Sequence, residues 1–267
     1  MNDNKWKNLD KILKDLGSFV VAYSGGVDSS LLLHRAHSVG NLKVMGVTIR
    51  TPYIPKHEID GAVDFAKTFG IKHTVVDLSF PDSIKYNPAD RCYLCKKILF
   101  TQLTSYAEGN GYSYIIEGTN SDDTGEYRPG LRALEELGIR SPLLEAGLTK
   151  KEIREFSQKE GLPTWDKPAM ACLLTRIPYG TEVNEDVLRM VELAEIFLFE
   201  KGYAGARVRV HGDLARIECL PGYFEKIVTA PDKDIIISSL KKIGFRYISL
   251  DLEGYRSGSF NPENREV

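Results

Sequence analysis

Apolar positions along the chain change period several times, and each change marks an element. Trp6, Leu9, Ile12, Leu13 and Leu16 recur at helical spacing over residues 4–16, and Gly17 closes the run. Residues 18–23 are short and continuously apolar, as a strand covered on both faces requires. After a Gly-rich turn, Leu31-Leu-Leu-His-Arg-Ala36 reads as helix. The alternation continues with a strand at 43–49, a helix at 59–69 stopped by Gly70, and strands at 73–78 and 114–117. Strands separated by helices predict an α/β fold with a doubly wound parallel sheet. Residues 81–90 are polar and turn-rich and lead into a helix at 92–107. Thr149 and Glu152 have capping-box spacing at the head of a helix ending near Gly161.

Residues 162–181 carry Pro163, Pro168 and Pro178 and no regular period, which predicts a linker crossing the active site. Beyond it lie a helix at 185–201, alternating runs at 206–211 and 215–220 around Gly212-Asp213, a helix near 232–242 and a strand at 245–250. The turn residues between the alternating runs predict a hairpin. The organisation that follows is a nucleotide-binding domain over 1–180 and a smaller C-terminal α/β domain over 181–267, for substrate binding or oligomerisation.

Composition narrows the class. The 267 residues are 42% apolar and 27% charged, ordinary for a globular chain with a core. No run of about 18 apolar residues is present to span a membrane. The polar N-terminal stretch lacks an apolar signal region, which predicts a cytoplasmic location. A net charge of −2 argues against broad nucleic-acid binding, so the expected partner is a small molecule.

The strongest chemical signal is Ser24-Gly-Gly-Val-Asp-Ser-Ser30, between a predicted strand and helix. Gly25 and Gly26 leave the backbone bare, so amides and a helix N-terminus converge on one anion. Ser24, Ser29 and Ser30 add hydroxyl donors, and Asp28 adds a carboxylate able to hold Mg²⁺ beside a pyrophosphate. The spacing is not that of a Walker loop. Cys92 and Cys95 stand three apart at a helix start, which puts both sulfurs on one face. With Cys172 they make three thiols for a metal, a cluster or redox chemistry; Cys219 alternates with Ile217 and reads as a small core residue. Zinc with a fourth ligand and a Cys92–Cys95 dithiol are the competing readings.

The loop SGGVDSS resembles that of the PP-loop ATP pyrophosphatases, which cleave ATP between its α and β phosphates and adenylate a substrate oxygen. The resemblance implies a second nucleotide-contacting stretch at Glu117-Gly-Thr-Asn-Ser-Asp-Asp123, with Gly118 and Asn120 among its contacts. Further segments occur in a fixed order: Glu126-Tyr-Arg-Pro-Gly-Leu131, Arg140-Ser-Pro-Leu-Leu144, Ala171-Cys172, Arg176-Ile-Pro-Tyr-Gly180, Arg207-Val-Arg-Val and Leu250-Asp-Leu-Glu-Gly-Tyr-Arg-Ser-Gly258. Together they resemble the LarE family over about residues 8–260. This family comprises ATP-dependent sulfur transferases that serve the nickel-pincer nucleotide cofactor of lactate racemase.

The resemblance implies ATP, Mg²⁺ and a pyridinium-3,5-dicarboxylate mononucleotide whose carboxylate is adenylated and then thiolated. It implies that Arg207 and Arg209 hold the substrate phosphate, with Arg128 and Arg256 as further candidates, and that Glu195 matches a proposed metal position. It implies Cys172 as the sulfur-handling cysteine; Lys167 and Arg176 are cations near it in the sequence. A [4Fe–4S] cluster on Cys92, Cys95 and Cys172 is the expected sulfur carrier. A sacrificial Cys172, consumed in one turnover, is an alternative, as is a tRNA thiolase built on the same loop. A homo-oligomer is also implied.

Overall fold

The computed structural model describes residues 3–125, 129–169, 171–256 and 260. Contacts divide the chain into two compact units, residues 1–83 with 90–170, and residues 84–89 with 171–267. The first unit runs α1 (Asp3–Leu16), β1 (Ser18–Ala22), α2 (Val27–Ser38), β2 (Lys43–Arg50), α3 (Lys56–Thr68) and β3 (His73–Asp77). It resumes with α4 (Arg91–Gly109), β4 (Tyr114–Ile116), α5 (Pro129–Glu136), α6 (Pro142–Glu145) and α7 (Lys150–Lys159).

The four strands pair in parallel in the order β3-β2-β1-β4, with Val20 opposite Met45 on one side and Ile115 on the other. Both faces of the sheet are covered. Phe19 and Val21 pack with α1, α2, α3 and α7, whereas Val20 packs with Met45, Val47 and the α4 residues Phe100 and Leu103. That is the alternation a strand imposes, and burial on both faces explains why β1 reads as an unbroken apolar run. Strand order reverses between β1 and β4. In open α/β sheets a ligand crevice forms outside the strand C-termini at this reversal.

The second unit contains α8 (Glu185–Glu200), β5 (Arg207–His211), β6 (Leu214–Glu218), α9 (Phe224–Val228), α10 (Asp232–Ile243) and β7 (Tyr247–Leu250). Its sheet has the order β5-β6-β7, antiparallel and then parallel. The expected hairpin is present, with His211 opposite Leu214 and Gly212 at φ +59°. Residues 171–180 cluster with this unit because buried Asn87 donates to the carbonyls of Leu174, Ile177 and Pro178.

Several elements differ from the reading of the sequence. Helix α3 begins at Lys56 rather than 59, because Pro55 starts it and its first turn is polar. Helices α5, α6 and α9, of eight, four and five residues, were not foreseen. They are too short to establish a period. Strand β6 ends at Glu218 rather than 220, and β7 begins at Tyr247 rather than 245. Among the described residues no helix is long and apolar enough to cross a membrane.

Candidate active site: a nucleotide cavity and its cysteines

The central strand β1 runs into the Ser24–Gly26 turn and then into α2. Gly25 has φ +73°, and a Cβ there would meet the Glu58 carbonyl oxygen at 3.3 Å and the Ala62 Cβ at 3.2 Å. Only glycine lets the turn lie this close to α3. Gly26 caps α2 without a side-chain hydrogen bond, so the amides of the first turn are left for an anion. Ser24 and Ser29 join hydroxyls at 3.0 Å, and Ser29 Oγ donates to the Gly26 carbonyl at 3.2 Å. Ser30 is fully buried and its hydroxyl bonds Tyr23, so it packs behind the loop and does not line the cavity.

The second stretch follows β4 and meets this loop. A Cβ on Gly118 would stand 3.0 Å from the Ser29 nitrogen and 3.2 Å from the Asp28 Cβ. Asn120 Nδ2 donates to Asp28 Oδ1 at 3.3 Å, and its own backbone N–H donates to Asp123. Lys150, the first residue of α7, pairs its ammonium with the other Asp28 oxygen and gives its backbone N–H to Asp122. Lys150 was missed in the sequence because it stands 122 residues from Asp28. The capping box that precedes it, Thr149 with Glu152, was legible and is present.

A cavity of about 340 Å³ opens over these loops. One wall is polar, with Ser24, Gly26, Asp28, Ser29, Gly118 and Asp123. The other is apolar, formed by the ends of β1 and β2 and by Leu99, Phe100 and Leu103 of α4. A polar cradle at an uncapped helix start beside an apolar slot suits a phosphorylated nucleoside.

Helix α4 carries the cysteine pair. Cys92 is exposed, Cys95 is half-buried, and Lys96 beside it lines the cavity. Cys95 Sγ lies 3.2 Å from the hydroxyl of fully buried Tyr53. Cys172, half-buried in the second unit, precedes a short turn at 173–176, and its carbonyl accepts the Thr175 hydroxyl. No disulfide joins Cys92 to Cys95 or involves Cys172 or Cys219. Cys219 is fully buried and burial pushes its thiol up, as a core residue would show. Among the described residues no three His, Cys, Asp or Glu side chains gather around a point where a metal ion would sit.

Of the cations expected near Cys172, Arg176 reaches its backbone carbonyl at 3.5 Å and Lys167 is engaged elsewhere. Arg176, 1% exposed, pairs with Glu195 at 2.9 and 3.0 Å and also donates to the carbonyl of Ala171. Glu195 further accepts the Val208 N–H, so its carboxylate is committed to a buried ion pair. Lys167, in the first unit, bonds Gly25 and Glu58.

Arg207 and Arg209 alternate on β5 and so share a face. Arg209 is buried, holds Glu218 with two nitrogens and the Thr175 carbonyl with a third. Arg207 is half-buried; burial, and the cations Arg176 and Arg209, lower its pKa against the pull of Glu195. Arg216 joins Glu218 and Asp251. Arg176, Arg209 and Arg216 thus meet the carboxylates of Glu195, Glu218 and Asp251 in this part of the second unit. Arg256 is largely exposed and pairs with Glu253. Arg128 lies outside the described residues.

A parallel sheet whose central strand delivers SGGVDSS to an uncapped helix, beside an apolar slot, defines a PP-loop nucleotide-binding domain of the ATP pyrophosphatase kind. The NAD synthase family model matches residues 6–97. The chain is 40% identical over 263 residues to an uncharacterized protein of Synechocystis sp., covering 98% of each. It is 37% identical over 252 residues to the pyridinium-3,5-bisthiocarboxylic acid mononucleotide synthase of Lactiplantibacillus plantarum, covering 93% of this chain and 91% of that one. A tRNA-specific 2-thiouridylase of Rickettsia africae is 29% identical over 211 residues, covering 63% of this chain and 57% of that one. The chain belongs to the LarE family and is an ATP-using, sulfur-transferring enzyme.

Proposed function

We propose that this enzyme adenylates a carboxylate of pyridinium-3,5-dicarboxylate mononucleotide and replaces AMP by sulfur to give a thiocarboxylate. Its similarity along nearly the whole chain to the Lactiplantibacillus plantarum synthase carries the reading. A carboxylate is a poor acyl donor because its oxygen leaves badly; adenylation turns that oxygen into part of a stable phosphate leaving group. The carboxylate oxygen attacks the α-phosphorus and pyrophosphate departs. Hydrosulfide then attacks the carboxyl carbon; the carbon–sulfur bond forms and the carbon–oxygen bond breaks with its electron pair going to AMP.

The chain supplies positioning and charge for these steps. Ser24, Gly25, Gly26, Ser29, Gly118 and Asn120 cradle the phosphates, with Ser30 fixing the loop from behind. Asp28 and Asp123 both line the cavity and are the hard oxygen donors that Mg²⁺ takes. Asp28 is the group we assign to it. Arg207 presents the cationic face to the substrate phosphate, with Arg209 beside it on β5 held in place by Glu218 and Thr175, and Arg128 and Arg256 complete that set. The first unit is the nucleotide domain, and the second the substrate-binding and oligomerisation domain of a homo-oligomer.

The sulfur carrier in this reading is a [4Fe–4S] cluster on Cys92, Cys95 and Cys172. Its support is the donor set: three accessible or half-accessible thiols, none in a disulfide, two of them on one turn of α4. Cys92, Cys95 and Cys172 would hold such a cluster, and it would supply hydrosulfide for attack on the acyl-adenylate. Iron and acid-labile sulfide, counted after anaerobic purification, test this arm. About four of each per chain are expected, lost in Cys92→Ala, Cys95→Ala and Cys172→Ala alike. An iron-free protein under reconstituting conditions would refute the cluster and leave Cys172 as the sulfur source.

A further inference from the structure

Lys167 lies five residues before Cys172 in sequence, yet its ammonium is spent on the phosphate loop. It donates to the Gly25 carbonyl at 3.0 Å and to Glu58 Oε2 at 2.6 Å. Glu58 is in the first turn of α3, with its side chain 8% exposed. Burial pushes the Glu58 carboxyl up, but hydrogen bonds from His57 and Lys167 outweigh it and hold the group below the ordinary range. Lys167 therefore pairs its charge with a buried carboxylate and forms a strut between α3 and the loop.

The consequence follows from peptide geometry. In a trans peptide the carbonyl and the following N–H point in opposite directions. Holding the Gly25 carbonyl toward Lys167 turns the Gly26 N–H away from it, toward Ser24 Oγ on the cavity wall, at 3.4 Å. That contact is long for a hydrogen bond, so an entering phosphate oxygen displaces little. The strut is itself braced. Arg154 of α7 donates to the carbonyls of Trp165 and Lys167, at 2.6 and 2.8 Å. Helix α7 also supplies Lys150 to Asp28 on the other side of the loop. One helix thus holds the loop from both ends.

We infer that Lys167 is a positioning residue of the phosphate loop, which orients the Gly25–Gly26 peptide for a pyrophosphate group and acts through Glu58. This rests on the loop taking the polyphosphate of ATP, and not on the sulfur chemistry. Calorimetric titration of the full chain with MgATP, inorganic pyrophosphate and AMP tests it in four proteins: wild type, Lys167→Ala, Lys167→Arg and Glu58→Gln. Lys167→Ala should weaken MgATP and pyrophosphate by about tenfold or more while AMP changes by less than about twofold. Unchanged AMP binding also shows that the variant is folded. Lys167→Arg should restore part of the loss. Glu58→Gln should weaken pyrophosphate in the same direction, because the ammonium loses its anchor. Equal loss for all three ligands, or no loss, would overturn the inference. Tighter pyrophosphate binding in Glu58→Gln would overturn it as well, because a freed ammonium would then be a direct ligand. A wild type that binds neither MgATP nor pyrophosphate would bring down the loop reading and this inference together.

Discussion

At the scale of single residues, the site is set by where side chains are missing. A Cβ on Gly118 would crowd the loop, because the Ser29 nitrogen stands 3.0 Å from where it would be. Gly61, inside α3, has nothing within 4 Å of its Cβ position. Gly118→Ala should therefore destabilise the protein by about 1–3 kcal/mol and weaken MgATP binding, through overpacking of backbone that cannot give. Gly61→Ala should stabilise by about 0.5–1 kcal/mol and leave MgATP binding alone. Denaturant midpoints and ATP titration separate the two; equal behaviour would mean that the close approach at Gly118 is not what shapes the loop. The strand–turn–helix geometry around Gly25, Gly26 and Asp28 was legible because these residues nearly adjoin and follow an apolar strand. Lys150, Glu58 and the strut at Lys167 were not. Each meets the loop only through the fold, and a lysine or glutamate in a sequence carries no mark of its distant partner.

At the scale of elements, the long periodic pieces were readable and the short ones were not. Helix α1, strand β1 and helix α7 fall within a residue or two of their sequence limits, since apolar spacing and caps fix them. Helix α3 was read three residues late because its first turn, Lys56-His57-Glu58, is polar although Glu58 ends up buried. Helix α7 links stability to function. Its capping box orders the turn that carries Lys150, whose ammonium meets Asp28. Thr149→Ala should cost about 1 kcal/mol of stability and raise the KM for ATP with a smaller change in kcat. A stability loss with KM unmoved would show that the helix start does not position Lys150. In the second unit, Arg176 with Glu195 and Arg209 with Glu218 are buried ion pairs. Residue type predicted cations on β5, but not that one of the two would be committed to a carboxylate.

At the scale of the whole chain, two units bring different chemistries to one polypeptide. The first holds the nucleotide cavity and the Cys92–Cys95 pair; the second holds Cys172 and the arginine-rich sheet. The class of the fold was legible because the strand, loop and helix that open the sheet are consecutive. The sulfur source was legible only as a set of alternatives, since three thiols in a sequence suit a cluster, a metal or a consumed cysteine. Stoichiometry separates these most directly. Purified anaerobically and given MgATP, sulfide and pyridinium-3,5-dicarboxylate mononucleotide, the protein should release AMP and form more than one thiocarboxylate per chain. The peptide carrying Cys172 should keep its mass. Product that stops at one per chain, with Cys172 converted to dehydroalanine, would contradict the catalytic account of the sulfur, and AMP release with no thiocarboxylate at all would contradict the assignment of the enzyme.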